Sequence, residues 1–374
     1  QEISSDTGLP RKVIAFSRKH RLLPEAYLFG FQFVLKKSAF RYSYLNGEYR
    51  LTGFWYFFPY ACLVKTPLPL IGIFLIIFIL ALNKIRKPPS ESAMKKLYPY
   101  TPLITLISVY GIFAVTSNMN IGHRHVLVLY PAAYILAGGG FALLKKASGY
   151  LKFTAGFLLL WFIAESLSIW PHYLAYFNQI TGGPKSAYRH MVDSSLDWGQ
   201  DLKGLGRWLK NNSLLNQRKT DVYVSYFGIA SIDHYAPGVK KLPSYYGQEG
   251  EVPFELRGGV YCISATMLPL LYMPELLNPE DPESLNIDEN LYRQLGAEMK
   301  DFFKSMENQQ KFNEFMSVKG NQYWVGRYRL YQLLRFAKLA KYLETRKPDD
   351  NIGYSILIFK LTDAEVANAL KAKL

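Results

Sequence analysis

A His-Arg-His cluster stands directly before a long apolar run in this chain. His123, Arg124 and His125 precede residues 126–144, which contain no charged side chain. A permanent cation at the edge of such a run can bind an anion at a membrane surface, and Arg suits that task because its planar guanidinium makes bidentate bonds to phosphate. The alternative is that the cluster only marks the level of the lipid headgroups, toward which basic side chains reach from many helix ends.

Two further cations occupy comparable positions. Lys65 precedes the apolar run 66–82, and Arg50 precedes the aromatic stretch 54–64. Together with the His-Arg-His cluster, they predict a site for a lipid phosphate, although each alone also fits a side chain that reaches for headgroups. Fixed cations at that level would stabilise negative charge as it develops on a departing phosphate.

Carboxylates are the candidates for acid–base chemistry and for hydrogen bonds to a sugar. Asp193, Asp197 and Asp201 recur every four residues before a leucine-rich helical pattern. Helix capping by these aspartates, before a leucine face that packs in the core, is favoured over catalysis. Glu25 and Glu48 lie in the N-terminal stretch and are the acidic residues best placed to contact a sugar. No residue is assigned a catalytic role from the sequence.

Neither a metal ion nor another cofactor is expected. His123 and His125 have no obvious third ligand, and the other histidines are scattered along the chain. Cys62 and Cys262 both lie in apolar or strand-like stretches, so we expect small core residues rather than reactive thiols.

Membrane helices have to position these residues. The chain has 374 residues, is 49% hydrophobic and carries a formal net charge of +15. That charge suits nucleic acid, anionic lipid or an anionic substrate, and the apolar runs favour lipid over nucleic acid. A span needs about 20 apolar residues. Four spans are predicted, near 66–82, 97–116, 126–144 and 151–170.

Two of the predicted spans contain residues that need a particular environment. Gly138, Gly139 and Gly140 are expected to let a neighbouring helix approach closely. Glu165 would cost about 2.5–3.5 kcal/mol if it faced lipid at mid-bilayer. We therefore expect Glu165 to face a neighbouring helix or to lie near the outer end of its span.

The charge of the connectors predicts the orientation. Connectors 83–96 and 145–152 are basic, which assigns them to the cytoplasm by the positive-inside rule. Residues 1–53 then form an extracytoplasmic or interfacial segment, and the loop around 117–125 lies on the same side. The prediction is a multi-pass protein of the inner cell membrane whose C-terminal region is extracytoplasmic.

Residues 172–374 differ in character from the predicted transmembrane domain, 54–171. Strand-like runs and helical patterns follow one another there, at 195–211, 221–228, 258–266, 289–306, 325–345 and 353–361. This alternation predicts an extracytoplasmic α/β domain with a largely parallel sheet.

Several stretches resemble a known family. The segments "GEYRLTGFWYFFPYACLVKTPLPL", "NIGHRHVLVLYP" and "YFNQITGGPKSAYRHMVDSSLDWGQDLKGL" are the most extensive. They are similar to bacterial phospholipid-carrier-dependent glycosyltransferases of the protein O-mannosyltransferase-like type, glycosyltransferase family 39. The resemblance implies the C-terminal part of a GT-C fold, with about four transmembrane helices followed by the α/β domain.

The resemblance also implies a function. Such an integral membrane enzyme moves a sugar from a polyprenyl-phosphate carrier to an extracytoplasmic acceptor, so a lipid-linked sugar and membrane lipids are the expected partners. Arg124 and His125 match the family's Arg-His before the Tyr-Pro of this span and would contact the phosphate. The family's acidic catalytic loop has no counterpart here, and the chain begins at Gln1 rather than Met. We therefore expect part of a longer protein, and whether this chain itself catalyses transfer stays open.

Two other functions remain open. One is a non-enzymatic membrane protein whose outer α/β domain binds a glycan or a protein. The other is a transporter of lipid-linked sugar, for which spans broken near the midplane are expected. The prolines of the predicted spans lie mainly near their ends, with Pro131 as the exception.

Overall fold

The computed structural model describes eight parts of the chain: 9–39, 42–85, 98–145, 147–215, 220–245, 254–273, 276 and 289–372. Most of the basic connector 83–96, on which the predicted orientation depends, lies outside the described residues. The same is true of Leu97, the first residue of the second predicted span.

A helical hairpin and a short strand pair form the N-terminal part. The elements are α1 (Leu9–Lys19), α2 (Glu25–Ala39), β1 (Ser43–Leu45) and β2 (Glu48–Arg50). The strands pair antiparallel. Asn46 and Gly47 connect them with φ angles of 53° and 89°, the left-handed conformation that a tight two-residue hairpin turn requires.

Five apolar helices follow. They are α3 (Phe57–Lys65), α4 (Leu68–Ile85), α5 (Thr101–Thr116), α6 (Leu129–Leu144) and α7 (Gly149–Ser168). Among the described residues, α7 and the helical stretch Tyr98–Thr116 are the helices long and apolar enough by themselves to cross a membrane. A third span exists if α3 and α4, which meet at 108°, are counted as one broken span. The described residues thus have two or three spans, and the prediction of a four-span bundle is wrong.

Backbone geometry explains why α6 is too short to be a span and why α3 and α4 are separate helices. The apolar run at 126–144 yields a helix of only 16 residues, because His123–Val126 form a 3-10 turn and α6 begins at Leu129. Sixteen residues rise about 24 Å, less than the roughly 30 Å of bilayer hydrocarbon. The break between α3 and α4 falls at Thr66, which is extended before Pro67. A residue that precedes proline is driven away from helical geometry.

Close packing of α6 against α4, and against Tyr100 before α5, depends on part of the glycine run. A Cβ atom on Gly140 would lie 2.1 Å from Ile77 Cγ2, and one on Gly139 would lie 2.8 Å from the Tyr100 hydroxyl oxygen. A Cβ on Gly138 meets no atom within 4 Å. The predicted packing role is therefore confirmed for Gly139 and Gly140 and wrong for Gly138.

Glu165 is shielded by the segment that follows its own helix. Its side chain is buried, and Oε1 accepts hydrogen bonds from the Tyr176 hydroxyl at 2.7 Å and from Gln179 Nε2 at 2.6 Å. Glu165 thus lies near the C-terminal end of its helix with its carboxylate buried and bonded to protein groups.

The C-terminal region is built on a five-stranded sheet. Its elements are α8 (Leu202–Asn211), β3 (Asp221–Ser225), α9 (Ile232–Tyr235), β4 (Lys240–Lys241), β5 (Gly259–Ser264), α10 (Glu289–Ser305), α11 (Gln309–Lys319), α12 (Asn321–Glu344), β6 (Asp350–Ile352), β7 (Ile356–Leu361) and α13 (Asp363–Lys371). The strand order is β4-β3-β5-β7-β6.

Strands and helices alternate as predicted, but the sheet is mixed. Strand β3 is parallel to β4 and β5, whereas β7 is antiparallel to both β5 and β6. The largely parallel sheet predicted from the alternation is therefore wrong. A tight turn through Gly353 and Tyr354, both with positive φ, joins β6 to β7, and a connection this short can only produce an antiparallel pair.

One hydrophobic core joins the apolar helices to the sheet. The same cluster of buried side chains includes Phe57 and Ala61 of α3, Val126 of the His-Arg-His turn, and Tyr261 and Phe359 of the sheet. The position of the His-Arg-His turn is consequently set by packing on both sides.

Replacing Gly140 by Val is expected to lower the free energy of unfolding by about 1–3 kcal/mol, because the new side chain overpacks the contact with Ile77. In the matched change Gly138→Val the new Cβ meets no atom within 4 Å, and because Val has a somewhat higher helix propensity than Gly, stability should stay the same or rise slightly. Thermal unfolding of both purified variants in mild detergent measures the difference. Equal melting temperatures for the two variants would contradict the assigned packing.

Candidate functional site

Residues 193–201, named here the lip loop, lie where the apolar helices meet the sheet. A 3-10 turn covers Asp193–Ser195, and the following helix begins only at Leu202, seven residues later than the pattern predicts. Asp193 has a φ of 55°, a conformation rarely adopted by residues other than glycine. Its own carboxylate stabilises that geometry by accepting a 2.5 Å bond from Ser194 N.

From the side of the apolar helices, Lys65 and His123 hold the lip loop through one residue. Lys65 Nζ donates to Ser195 O at 2.6 Å and to Leu174 O at 2.7 Å. His123 N donates to Ser195 Oγ at 3.1 Å. Two of the three donors of Lys65 are thus used by backbone carbonyls, and this lysine holds the loop in position.

The ring of His123 belongs to the floor beneath the loop. Its Nε2 lies 2.7 Å from the Tyr130 hydroxyl oxygen, which lies 2.7 Å from Thr66 Oγ1. Burial, together with the charge of Lys65, lowers the pKa of His123 to about 4. The ring is therefore neutral at pH 7 and adds no positive charge with which to bind an anion.

Arg124 extends from this floor into the solvent. Its side chain is exposed, and its guanidinium carbon lies 4.7 Å from the ring centroid of Trp198 in the lip loop. Stacking on a ring face leaves the N–H donors in the plane of the guanidinium available to a ligand. Of the three His-Arg-His residues, Arg124 is the one suited to bind an external anion.

His125 faces the helices. Its backbone carbonyl accepts a hydrogen bond from the Tyr110 hydroxyl at 2.7 Å, and its ring is edge-on to Phe58 with 6.3 Å between the centroids. These contacts fix the 3-10 turn against α3 and α5 and so orient Arg124.

The other predicted binding residues form separate pairs. Arg50 and Glu48 pair with each other on β2 at 3.3 Å, and Arg50 also stacks on Phe54. Glu25 pairs with Arg18 in the α1–α2 hairpin. Within the described ranges, no hydrogen bond or ion pair joins Arg50, Glu48 or Glu25 to the cluster around Ser195.

The three aspartates brace the lip loop against the sheet. All are buried. Asp193 N donates to Thr266 Oγ1 at 2.9 Å, Thr266 N donates to Asp197 Oδ2 at 3.4 Å, and Ser355 Oγ donates to Asp201 Oδ2 at 2.7 Å. Asp201 occupies the N-cap position of α8 without a side-chain capping bond. The predicted core role of the leucines that follow is confirmed, since Leu202, Leu205 and Leu209 are buried, and the capping role is wrong for Asp201.

Two residues of this site, Ser195 and Trp198, are not among those predicted from the sequence. Ser195 meets His123 across 72 residues of chain, a distance over which local patterns carry no information. Trp198 had a detectable signal, because it is a large aromatic residue in a short polar stretch that also contains Gly199, Gln200 and two aspartates.

In the parts of the chain that the structure describes, no three His, Cys, Asp or Glu side chains are grouped to hold a metal ion. Cys262 is buried and Cys62 partly buried, and burial raises the pKa of the Cys262 thiol. The expectation that Cys262 is a core residue is confirmed.

Asp197 makes a pH dependence of stability expected. Burial raises the pKa of Asp197 to about 7, against about 3.9 in an unfolded chain. The folded protein then binds the proton more tightly. Its free energy of unfolding should therefore fall as the pH rises from about 4 to about 7, by at most about 1.4 kcal/mol per pH unit from this group.

Asp197→Asn should flatten that fall, because an amide does not titrate in this pH range. The amide oxygen can still accept the hydrogen bond from Gly199 N. Chemical unfolding in mild detergent across this pH range measures the slope. The control Asp301→Asn, at an exposed position of α10, should keep the wild-type slope. An unchanged slope in Asp197→Asn would contradict the assignment.

Comparisons with known proteins do not assign this chain to a family. No protein-family model, curated protein or solved structure matches the chain.

Proposed function

We propose that this protein binds the phosphate of a polyprenyl-phosphate-linked sugar at Arg124, and that it takes part in moving the sugar to an extracytoplasmic acceptor. The observation that carries the proposal is the environment of Arg124. This exposed guanidinium is stacked on Trp198 above a floor of paired polar groups, next to helices apolar and long enough to cross a membrane.

The chemistry of sugar transfer needs such a group. When the bond between a sugar and its lipid phosphate breaks, negative charge develops on the departing phosphate. A guanidinium held in place before the reaction stabilises that charge more strongly than it stabilises the intact carrier, and only this difference accelerates the step. The 3-10 turn, with His123 bonded to Ser195, supplies the rigid support for Arg124.

Transfer also requires a base for the acceptor hydroxyl, and a carboxylate can serve. The buried aspartates of the lip loop already bind backbone amides and hydroxyls. We therefore assign them to the support of the loop and assign no base among the described residues.

The bend between α3 and α4 supports a lipid-linked ligand. In this proposal α4 enters the bilayer, so that α3, at 108° to it, runs along the surface with its aromatic residues at headgroup level. Lys65, at the end of α3, is hydrogen-bonded to the lip loop. Arg124 would then lie at the depth of lipid phosphates, on the side opposite the basic connectors 83–96 and 145–152.

Arg124→Ala is expected to reduce sugar transfer by about 10²- to 10³-fold, the usual effect of removing one donor to a developing charge. The same variant should weaken the binding of bare polyprenyl phosphate to the purified protein in detergent. Transfer is measured in membranes with a radiolabelled polyprenyl-phosphate sugar.

Arg207→Ala is the matched control, because Arg207 is exposed on α8 and its loss removes the same charge. It should behave as the wild type. Wild-type transfer and wild-type carrier binding in Arg124→Ala would exclude this function for the site.

An alkaline phosphatase fused after Leu374 should be active, because the proposal puts the C-terminal region outside the cytoplasm, where that reporter folds. A fluorescent reporter that folds only in the cytoplasm should be dark at the same position. The reverse pattern would invert the orientation and move Arg124 to the cytoplasmic surface.

A further inference from the structure

The lip loop is built to hold one exposed aromatic side chain. Trp198 N donates to Gln200 Oε1 at 2.7 Å, Gly199 N donates to Asp197 Oδ1 at 2.9 Å, and the Tyr226 hydroxyl donates to Gly199 O at 2.7 Å. Each backbone position next to the indole is thus bonded to another part of the loop or to the strand end that carries Tyr226.

Steric constraints add to these bonds. Gly199 has a φ of 71°, and a Cβ there would lie 2.4 Å from the Tyr226 hydroxyl oxygen and 2.7 Å from Phe227 O. Only glycine fits this position, so the backbone beside Trp198 has little freedom to move.

This rigid loop nevertheless leaves 51% of Trp198 exposed. Leaving a large aromatic surface in water forgoes the stabilisation that burial would supply, at about 25 cal/mol for each Å². The hydrogen bonds and the left-handed backbone at Gly199 hold the indole outward rather than letting it fold into the core. An exposed aromatic ring that is rigidly held is suited to contact a ligand with little loss of conformational entropy.

Arg124, which is in contact with Trp198, indicates what kind of ligand the indole would contact. Arg124 stacks over the indole at 4.7 Å, so its guanidinium covers one face of the ring, and a ligand can meet the cation together with the part of the ring that the guanidinium leaves uncovered. A sugar bonded to a lipid phosphate matches this arrangement, because its ring begins one oxygen atom away from the phosphorus. The C–H groups on one face of a pyranose pack against an aromatic ring, while the phosphate meets the guanidinium.

We infer that Trp198 is the sugar-side contact of this site and determines specificity for a carrier that bears a sugar over a bare carrier. This inference rests on the proposed function, in which Arg124 binds the phosphate. Trp198 supplies the part of the affinity that depends on the sugar ring, and Arg124 supplies the part that depends on the phosphate.

The test measures binding to the full chain in nanodiscs of neutral phosphatidylcholine. The ligands are polyprenyl phosphate and the same carrier linked to mannose or to glucose. The wild type should bind at least one sugar-linked carrier more tightly than the bare carrier. Trp198→Ala should abolish that preference, a loss of about three- to tenfold, and should retain binding of bare polyprenyl phosphate.

Two further variants serve as controls. Trp198→Phe keeps an aromatic face and should keep part of the sugar preference, which separates ring contact from misfolding. Trp55→Ala removes a tryptophan that is also exposed but lies outside the lip loop, and it should keep the whole preference.

The other outcomes separate a failure of this inference from a failure of the proposed function. If Trp198→Ala weakens both kinds of carrier equally, Trp198 only supports Arg124 or anchors the protein in the headgroup region, and the inference is overturned while the proposed function stands. A wild type with no sugar preference also overturns the inference. If Arg124→Ala binds bare carrier as well as the wild type does, the proposed function itself fails.

Discussion

Ser195 is a point at which the apolar helices are hydrogen-bonded to the C-terminal region. Its carbonyl accepts from Lys65 and its hydroxyl accepts from His123 N, while the loop around it is bonded to Thr266 and Ser355 of the sheet region. A buried donor without a partner costs about 1–3 kcal/mol. The lip loop therefore keeps one conformation in which all these bonds form together, and the positions of Arg124 and Trp198 follow from it.

Burial separates the basic residues next to the lip loop into two groups. Lys65 lies under the loop and is bonded to backbone carbonyls, and the buried ring of His123 is neutral because its surroundings disfavour the charged form. Arg124 stays exposed on an aromatic face and keeps its donors for a ligand. From the sequence all three residues are candidates for a phosphate site. In the proposed site, burial assigns Lys65 and His123 to the support of the loop and leaves Arg124 to bind the ligand.

The number of spans shows how a local feature can override composition. Residues 126–144 are apolar enough for a span, yet the helix is shortened because the turn before it is tied to Ser195 and Tyr110. The aromatic stretch before Lys65 forms its own helix because Pro67 interrupts the chain. In both cases the hydrogen bonds and the backbone limits that organise the lip set where the helices begin and end.

Local chemistry was enough to predict much of the molecule. Each strand-like run contains a strand, at Asp221–Ser225, Gly259–Ser264 and Ile356–Leu361, because alternation along the chain reports the burial of a strand's two faces. The same kind of pattern predicted the apolar helices and the position of Arg124 shortly before one of them. Tertiary structure alone decided three other features. They are the mixed strand directions of the sheet, the hydrogen bonds of Lys65 to two backbone carbonyls, and the contact between His123 and Ser195. They depend on groups distant in sequence that must satisfy one another's hydrogen bonds, and periodicity within one segment carries no information about which partner lies opposite.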